Sequence, residues 1–216
     1  MTVTDSLGVG LYSVPEASRL LRTPRRTLSR WIEGYVTEPK GGAKHYPPII
    51  DRESDSSLTF GDLVELMYVR GFRTQGVNLS TIRNVATKFR QEWQTQYPFA
   101  TEKFAADGRQ LLIGEGGEWK HALTGQHNFF FEDIGKLLVH NGDFTTEWRP
   151  LGREHQVVLN PERAFGKPID ALSGAHTYVL AQAASEKNFK EVAWWYGTTE
   201  SAVEDAVKFE LSLRAA

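Results

Sequence analysis

The stretch Ser13-Val-Pro-Glu-Ala-Ser-Arg-Leu-Leu-Arg-Thr-Pro-Arg-Arg-Thr-Leu-Ser-Arg-Trp-Ile32 decides the fold. Ser13 and Glu16, three residues apart, have capping-box spacing, which starts a helix there. Val14, Ala17, Leu20 and Leu21 then share one helical face. Thr23-Pro24 repeats the start signal, as a cap followed by proline at the first helical position, and Leu28, Trp31 and Ile32 face inward behind it. Two helices this short, joined by one or two residues, cannot run antiparallel, so they cross steeply as a helix-turn-helix.

The second helix keeps Arg25, Arg26, Thr27, Ser29 and Arg30 off its apolar face. In a helix-turn-helix this element enters the major groove, where arginine pairs bidentately with guanine and Ser/Thr reach bases or phosphates. Taken alone, a short basic helix is as often a solvated face. Five arginines against one acid between Pro15 and Arg30, with Lys40, Lys44 and His45 in the stretch behind, weigh toward DNA.

Outward from this core, Gly34 to Ser57 holds Pro39, Gly41-Gly42 and Pro47-Pro48 and reads as a loop or hairpin wing. Thr59-Phe-Gly-Asp62 caps a helix reaching about Arg73, and Gly76-Val-Asn78 breaks it. Leu79, Ile82, Val85, Ala86, Phe89 and Trp93 form the stripe of a longer helix, which is the expected dimer seam. Phe99 to Ile113 reads as a hairpin around Asp107-Gly108, because that dipeptide suits a type I′ turn. Phe129 to Val139 suits helix or strand, and Val157 to Leu159 a short buried strand. Beyond Phe165 the pattern is helical: Thr177 to Ala184, Asn188 to Tyr196, and a last helix capped by Thr199. The expected class is α+β, mainly α, with a winged helix-turn-helix over residues 1–95, a strand-containing middle over 96–160 and a helical domain over 161–216.

Composition narrows the function. The chain has 216 residues, 40% hydrophobic and 24% charged, with no apolar run long enough to span a membrane and no secretory leader at Met1 to Leu11, so a cytoplasmic address is expected. Without cysteine there is no disulfide, thiolate metal site or cysteine nucleophile. Charge separates near residue 95, with 13 basic against 10 acidic residues before it and 12 against 17 after it. Of the six histidines, His121, His127, His140, His155 and His176 lack ligand-like pairing, and no nucleophile elbow, phosphate loop or HExxH occurs. The expectation is a chain without catalytic activity, metal or cofactor. Trp194-Trp195-Tyr196 cannot all point to one helix face, so part of this run is exposed.

These residues resemble known families. Tyr12 to Leu21, Thr27-Leu-Ser-Arg-Trp31, His45-Tyr46 and Gly76 to Arg83 look like the MerR-type winged helix-turn-helix across residues 12 to about 92. The resemblance departs at the insertion Pro47 to Ser57, which lengthens the link behind the wing. Gly166-Lys-Pro-Ile-Asp170, Ser173 to Thr177, Val192 to Tyr196 and Val203 to Glu210 look like the small helical domain found in antitoxins, and the two together resemble actinobacterial VapB-type antitoxins. The resemblance implies a type II toxin–antitoxin system. Its antitoxin blocks a PIN-like ribonuclease toxin with an acidic magnesium site and represses its own operon through operator DNA. A front half with 13 basic against 10 acidic residues is too weakly basic to bind tightly alone, so a homodimer on adjacent half-sites is expected. Most aromatic runs like Trp194 to Tyr196 are core, but aromatic anchors are enriched at interfaces, which makes Trp195 and Tyr196 candidate partner contacts. Lys208 and Arg214, the sparse basic residues near the C-terminus, are the candidate cations for the toxin pocket. The alternatives are a MerR-like transcriptional regulator whose back half, with Phe129, Phe130, Phe131 and Trp148, senses a ligand, and an excisionase-like architectural DNA binder.

Overall fold

The computed structural model describes residues 7–9, 12–38, 42–50, 57–117, 119 and 129–214. Among the described residues the architecture is mainly helical with three two-stranded antiparallel sheets. The chain packs as two compact units, residues 12–131 and residues 1–11 with 132–216.

In the first unit, α1 (Val14–Leu20) starts where Ser13 accepts the Glu16 amide at 3.3 Å. The tight turn after it carries Arg22 at φ 47° and is braced by the Ser18 hydroxyl donating to the Thr23 carbonyl at 2.6 Å. Thr23 does not cap the next helix, contrary to expectation. Its hydroxyl donates to the Leu21 carbonyl at 3.0 Å, and Pro24 takes the N-cap position of α2 (Arg25–Glu33). Leu28, Trp31 and Ile32 are buried as the spacing requires.

Two strands, β1 (Tyr35–Thr37) and β2 (Lys44–Tyr46), form the wing, with Tyr35 opposite Tyr46, Val36 opposite His45 and Thr37 opposite Lys44. Gly34 makes the entry possible: it sits at φ +75°, and a Cβ there would collide with the Tyr46 carbonyl oxygen.

Helix α3 (Phe60–Thr74) begins on a complete capping box, with Asp62 N–H to the Thr59 hydroxyl at 3.1 Å and Thr59 N–H to the Asp62 carboxylate at 2.8 Å. Nearly all of it is buried, which makes it the centre of the unit. The stripe on α4 (Leu79–Trp93) turns inward: Ile82, Val85, Ala86 and Phe89 are buried within the chain, so it is not a free dimer seam. The expected hairpin at Phe99 to Ile113 is instead α5 (Glu102–Gly114). Thr101 caps it by accepting the Phe104 amide at 3.1 Å, and Phe104, Gly108 and Leu112 line its inner face at four-residue spacing. Gly108 serves close packing rather than a turn, since a Cβ there would lie 3.0 Å from the Phe104 ring. Tyr68, Phe72, Phe99 and Phe104 pack edge-on or tilted around each other, with Trp119 against Phe72 at 4.9 Å.

The boundary between the units falls within α6 (Phe129–Leu137), of which the 129–132 side chains lie outside the described residues. Strands β3 (Leu138–Asn141) and β4 (Phe144–Trp148) form a hairpin, and β5 (Val157–Val158) pairs with β6 (Ile169–Asp170). Helices α7 (Thr177–Glu186), α8 (Phe189–Tyr196) and α9 (Glu200–Arg214) close around Leu180, Val192, Ala193, Val203 and Ala206. Asn188 and Thr199 cap α8 and α9, accepting amides at 2.9 and 3.2 Å. From within α9, Asp205 accepts His155 Nδ1 at 2.7 Å and the Gln156 amide at 2.9 Å, which ties the loop before β5 to the helices.

Candidate nucleic-acid interface

Arg25, Arg26 and Arg30 are exposed on α2, while Thr27 and Ser29 are half-buried. Their positions follow from the inward pull of Leu28, Trp31 and Ile32, which leaves the other helical faces to solvent. Arg25 and Arg26 occupy the first turn, the part of a recognition helix that reaches base edges. Arg30 lies one turn on, and its guanidinium sits 5.1 Å over the Tyr35 ring of the wing.

The wing separates two residues that the sequence suggested would act together. Residues opposite one another in an antiparallel pair share a face and successive residues alternate. One face carries Tyr35, Tyr46, Thr37 and Lys44, with the tyrosine rings stacked at 4.6 Å and Lys44 5.1 Å over Tyr46. The other carries Val36 and His45, both exposed. Lys44 therefore joins the arginine cluster and His45 does not. Lys40 lies outside the described residues.

A residue the sequence reading did not select completes the cluster. Arg83, on α4, is only 7% exposed; its Nε donates to the Pro47 carbonyl at 2.7 Å and its guanidinium lies 5.9 Å from the Tyr46 ring. Burial pulls its pKa below the usual arginine value, opposed by Tyr35, which also contributes a side-chain hydrogen bond. Two turns on, Arg90 Nη2 donates to the Ile49 carbonyl at 2.8 Å, and the Ile49 amide donates to the Trp31 carbonyl of α2 at 2.8 Å. The seven-residue spacing of Arg83 and Arg90 was visible as one helix face, but nothing in the sequence said that this face meets the chain leaving the wing.

The second unit presents a different surface. Trp194 is 80% exposed and Trp195 52%, whereas Tyr196 packs against the helical core. Lys187 lies 5.5 Å over the Trp195 ring. Lys208 and Arg214 are exposed, but they are six residues apart on α9 and on different faces. Arg214 borders a groove of about 580 Å³ with Tyr178, Phe189 and Leu211, at the end of α9 remote from Tyr196; fifteen helical residues span about 22 Å. Trp195 and Arg214 therefore lie in separate patches, and Lys208 does not line the Arg214 groove.

Among the described residues, no group of three His, Asp or Glu side chains is placed to hold a metal ion, and His121 and His127 lie outside them. No described helix is long and apolar enough to cross a membrane.

The helix-turn-helix, its wing and the start of α4 form one stretch of the chain. Residues 10–86 match the family described as "Putative DNA-binding HTH domain". Over 227 residues the chain is 27% identical to "Putative antitoxin VapB45" of Mycobacterium tuberculosis, covering 92% of this chain and 93% of that protein. It is 23% identical over 233 residues to "Uncharacterized protein Rv2308" of the same organism, covering 100% and 96%. The crystal structure of Rv2018 from Mycobacterium tuberculosis superposes with a TM-score of 0.68 at 23% identity, over 92% of this chain and 98% of that one, so the two share a fold. The N-terminal region is thus a helix-turn-helix of the DNA-binding kind.

Proposed function

We propose that this chain is the antitoxin of a type II toxin–antitoxin system: it binds and inhibits a PIN-like ribonuclease toxin and represses its own operon. The observation that carries the reading is the end-to-end likeness to the protein named "Putative antitoxin VapB45", in a chain whose residues 10–86 match the family described as "Putative DNA-binding HTH domain". The exposed Arg25 and Arg26 support base contact, and Arg30 and Lys44 support phosphate contact. The domain is MerR-like in its order of helices and wing. It binds as a homodimer, because a module with few cations gains affinity when two copies meet adjacent half-sites. With the α4 stripe buried, that dimer forms through another surface.

The second unit is the toxin-binding part. Exposed tryptophans supply large contact area at low entropic cost and are over-represented among residues that dominate interface energy. Trp195 is such an anchor, with Trp194 beside it, while Tyr196 supports it from the core. Lys208 and Arg214 are cations for an acidic nuclease pocket. The chain acts by stoichiometric occupation in the cytoplasm, with no catalysis and no cofactor of its own. The test is to co-express it with the nuclease encoded beside it, purify the pair, and titrate RNA cleavage. Inhibition complete at equimolar ratio supports the antitoxin; a nuclease left fully active sinks it.

A further inference from the structure

Arginine is almost never buried without a charged partner. Arg83 breaks that pattern: the residue is 7% exposed, its partners are the Pro47 carbonyl, Tyr35 and the Tyr46 ring, and its Nη2 is buried without a hydrogen-bond partner. Placing a cation among neutral groups with one N–H group unsatisfied opposes stability. An apolar side chain would fill the same space at lower cost, so this arrangement calls for a use.

The use is written in what Arg83 touches. A hairpin of three residue pairs is not stable alone and takes its orientation from its supports. This wing has a hinge at Gly34, the Arg30 guanidinium on the Tyr35 ring, and Arg90 on the Ile49 carbonyl after its second strand. Arg83 alone among these touches both the stacked ring face of the wing and the chain that leaves it. Its own guanidinium is too enclosed to meet a phosphate, so any effect on DNA passes through the wing.

We propose that Arg83 is the positioning residue of the wing: by holding the Pro47 carbonyl and backing the Tyr35–Tyr46 stack, it sets the hairpin beside α2 so that Lys44 meets the DNA backbone. The inference rests on the DNA-binding reading of the first unit. It divides the labour of the cluster, with Arg25 and Arg26 reading bases, Arg30 and Lys44 meeting phosphates, and Arg83 holding the frame.

The experiment uses the full chain as wild type, Arg83→Met and Arg83→Lys. Methionine keeps a stem under the Tyr46 ring but loses the bond and the charge; lysine keeps a donor and the charge. Two readings are taken: amide hydrogen exchange over residues 35–46, and binding of a duplex that the wild-type chain selects from a random-sequence pool, followed against salt and against single base changes. In R83M the wing amides should exchange faster while those of α2 do not. Affinity should fall by about tenfold and the salt slope by about one, with base preferences unchanged. R83K should recover much of both. Wing exchange at the wild-type rate in R83M would overturn the proposal, as would faster exchange with wild-type affinity and slope. Lost affinity with an unaltered wing would assign Arg83 a long-range field effect instead and also overturn it. If circular dichroism shows R83M unfolded, R83K carries both readings, with intermediate exchange and affinity expected and wild-type values in both contradicting the proposal. If the wild type selects no duplex, the DNA-binding reading fails, and the exchange reading still decides whether Arg83 holds the wing.

Discussion

The two units differ in what they leave to solvent. Among the described residues, the first exposes one large apolar side chain, Val36 on the wing, while the second exposes Phe165, Leu172, Tyr178, Trp194, Trp195 and Leu211. The first unit covers its aromatic residues and shows cations, the surface that phosphate rewards. The second shows aromatic and aliphatic side chains on a helical frame, the surface that a protein partner rewards. Under the proposed function, the contrast corresponds to a separate partner for each unit, DNA for the first and toxin for the second.

The sharpest way to break that contrast at its base is the first unit's core. Phe72 is fully buried and meets Tyr68, Phe99, Phe104 and Trp119, so Phe72→Ala should cost about 3–5 kcal/mol. Urea unfolding reads it, and a loss under 1 kcal/mol would mean the cluster is looser than described.

In the second unit the same chemistry should behave in the opposite way. Trp194→Ala/Trp195→Ala removes two exposed rings, so stability should stay within about 0.5 kcal/mol of wild type. Affinity for the nuclease should fall by about 2 kcal/mol or more. Unfolding at unchanged midpoint together with titration calorimetry against the nuclease separates the two quantities, and full affinity would remove these rings from the interface. Trp195→Ala/Tyr196→Ala is the less clean variant, because Tyr196 packs inward.

For the first unit's surface, Arg26→Ala should weaken binding to the selected duplex by about 1–3 kcal/mol and relax its base preference, with the fold intact. Uniform weakening across sequences would demote Arg26 to a phosphate contact.

How much of this was legible in the sequence follows from the range of the interactions involved. Caps, apolar periodicity and the spacing of two short helices are local, so Ser13, the Thr59–Asp62 box, Asn188 and Thr199 all read correctly. Asp107-Gly108 misled because a turn dipeptide carries no mark of the Phe104 ring packed on the glycine. The α4 stripe read correctly as apolar, but its destination inside the chain depended on α3 and the Pro98–Ala100 turn, which no local pattern encodes. In the sequence Arg83 reads only as the end of a motif, and its contacts depend on Pro47, thirty-six residues away.

The smallest effect concerns pH. Glu65, on α3, accepts the Phe99 and Ala100 amides at 2.6 and 3.1 Å. Burial pushes its carboxyl up to about 8, opposed by the Arg90 charge and by those two amides. An unfolded glutamate titrates near pH 4.3, so the folded chain holds this proton more tightly. The resulting stability is complete below that value and is lost as pH rises through about 8. Glu65→Gln keeps an acceptor oxygen and carries no charge, so its urea midpoint should vary less than the wild type's between about pH 5 and 8. Identical pH profiles would show that Glu65 is ionised in the folded chain throughout.

The division of partners is tested most directly in one crossed measurement. Wild type, Arg25→Ala/Arg26→Ala and Trp194→Ala/Trp195→Ala are each titrated into the neighbouring nuclease with RNA substrate, and separately into the selected duplex. The arginine variant should inhibit the nuclease at equimolar ratio while losing the duplex, and the tryptophan variant should bind the duplex as wild type while leaving the nuclease active. Loss of both activities in either folded variant, or retention of both, would contradict it.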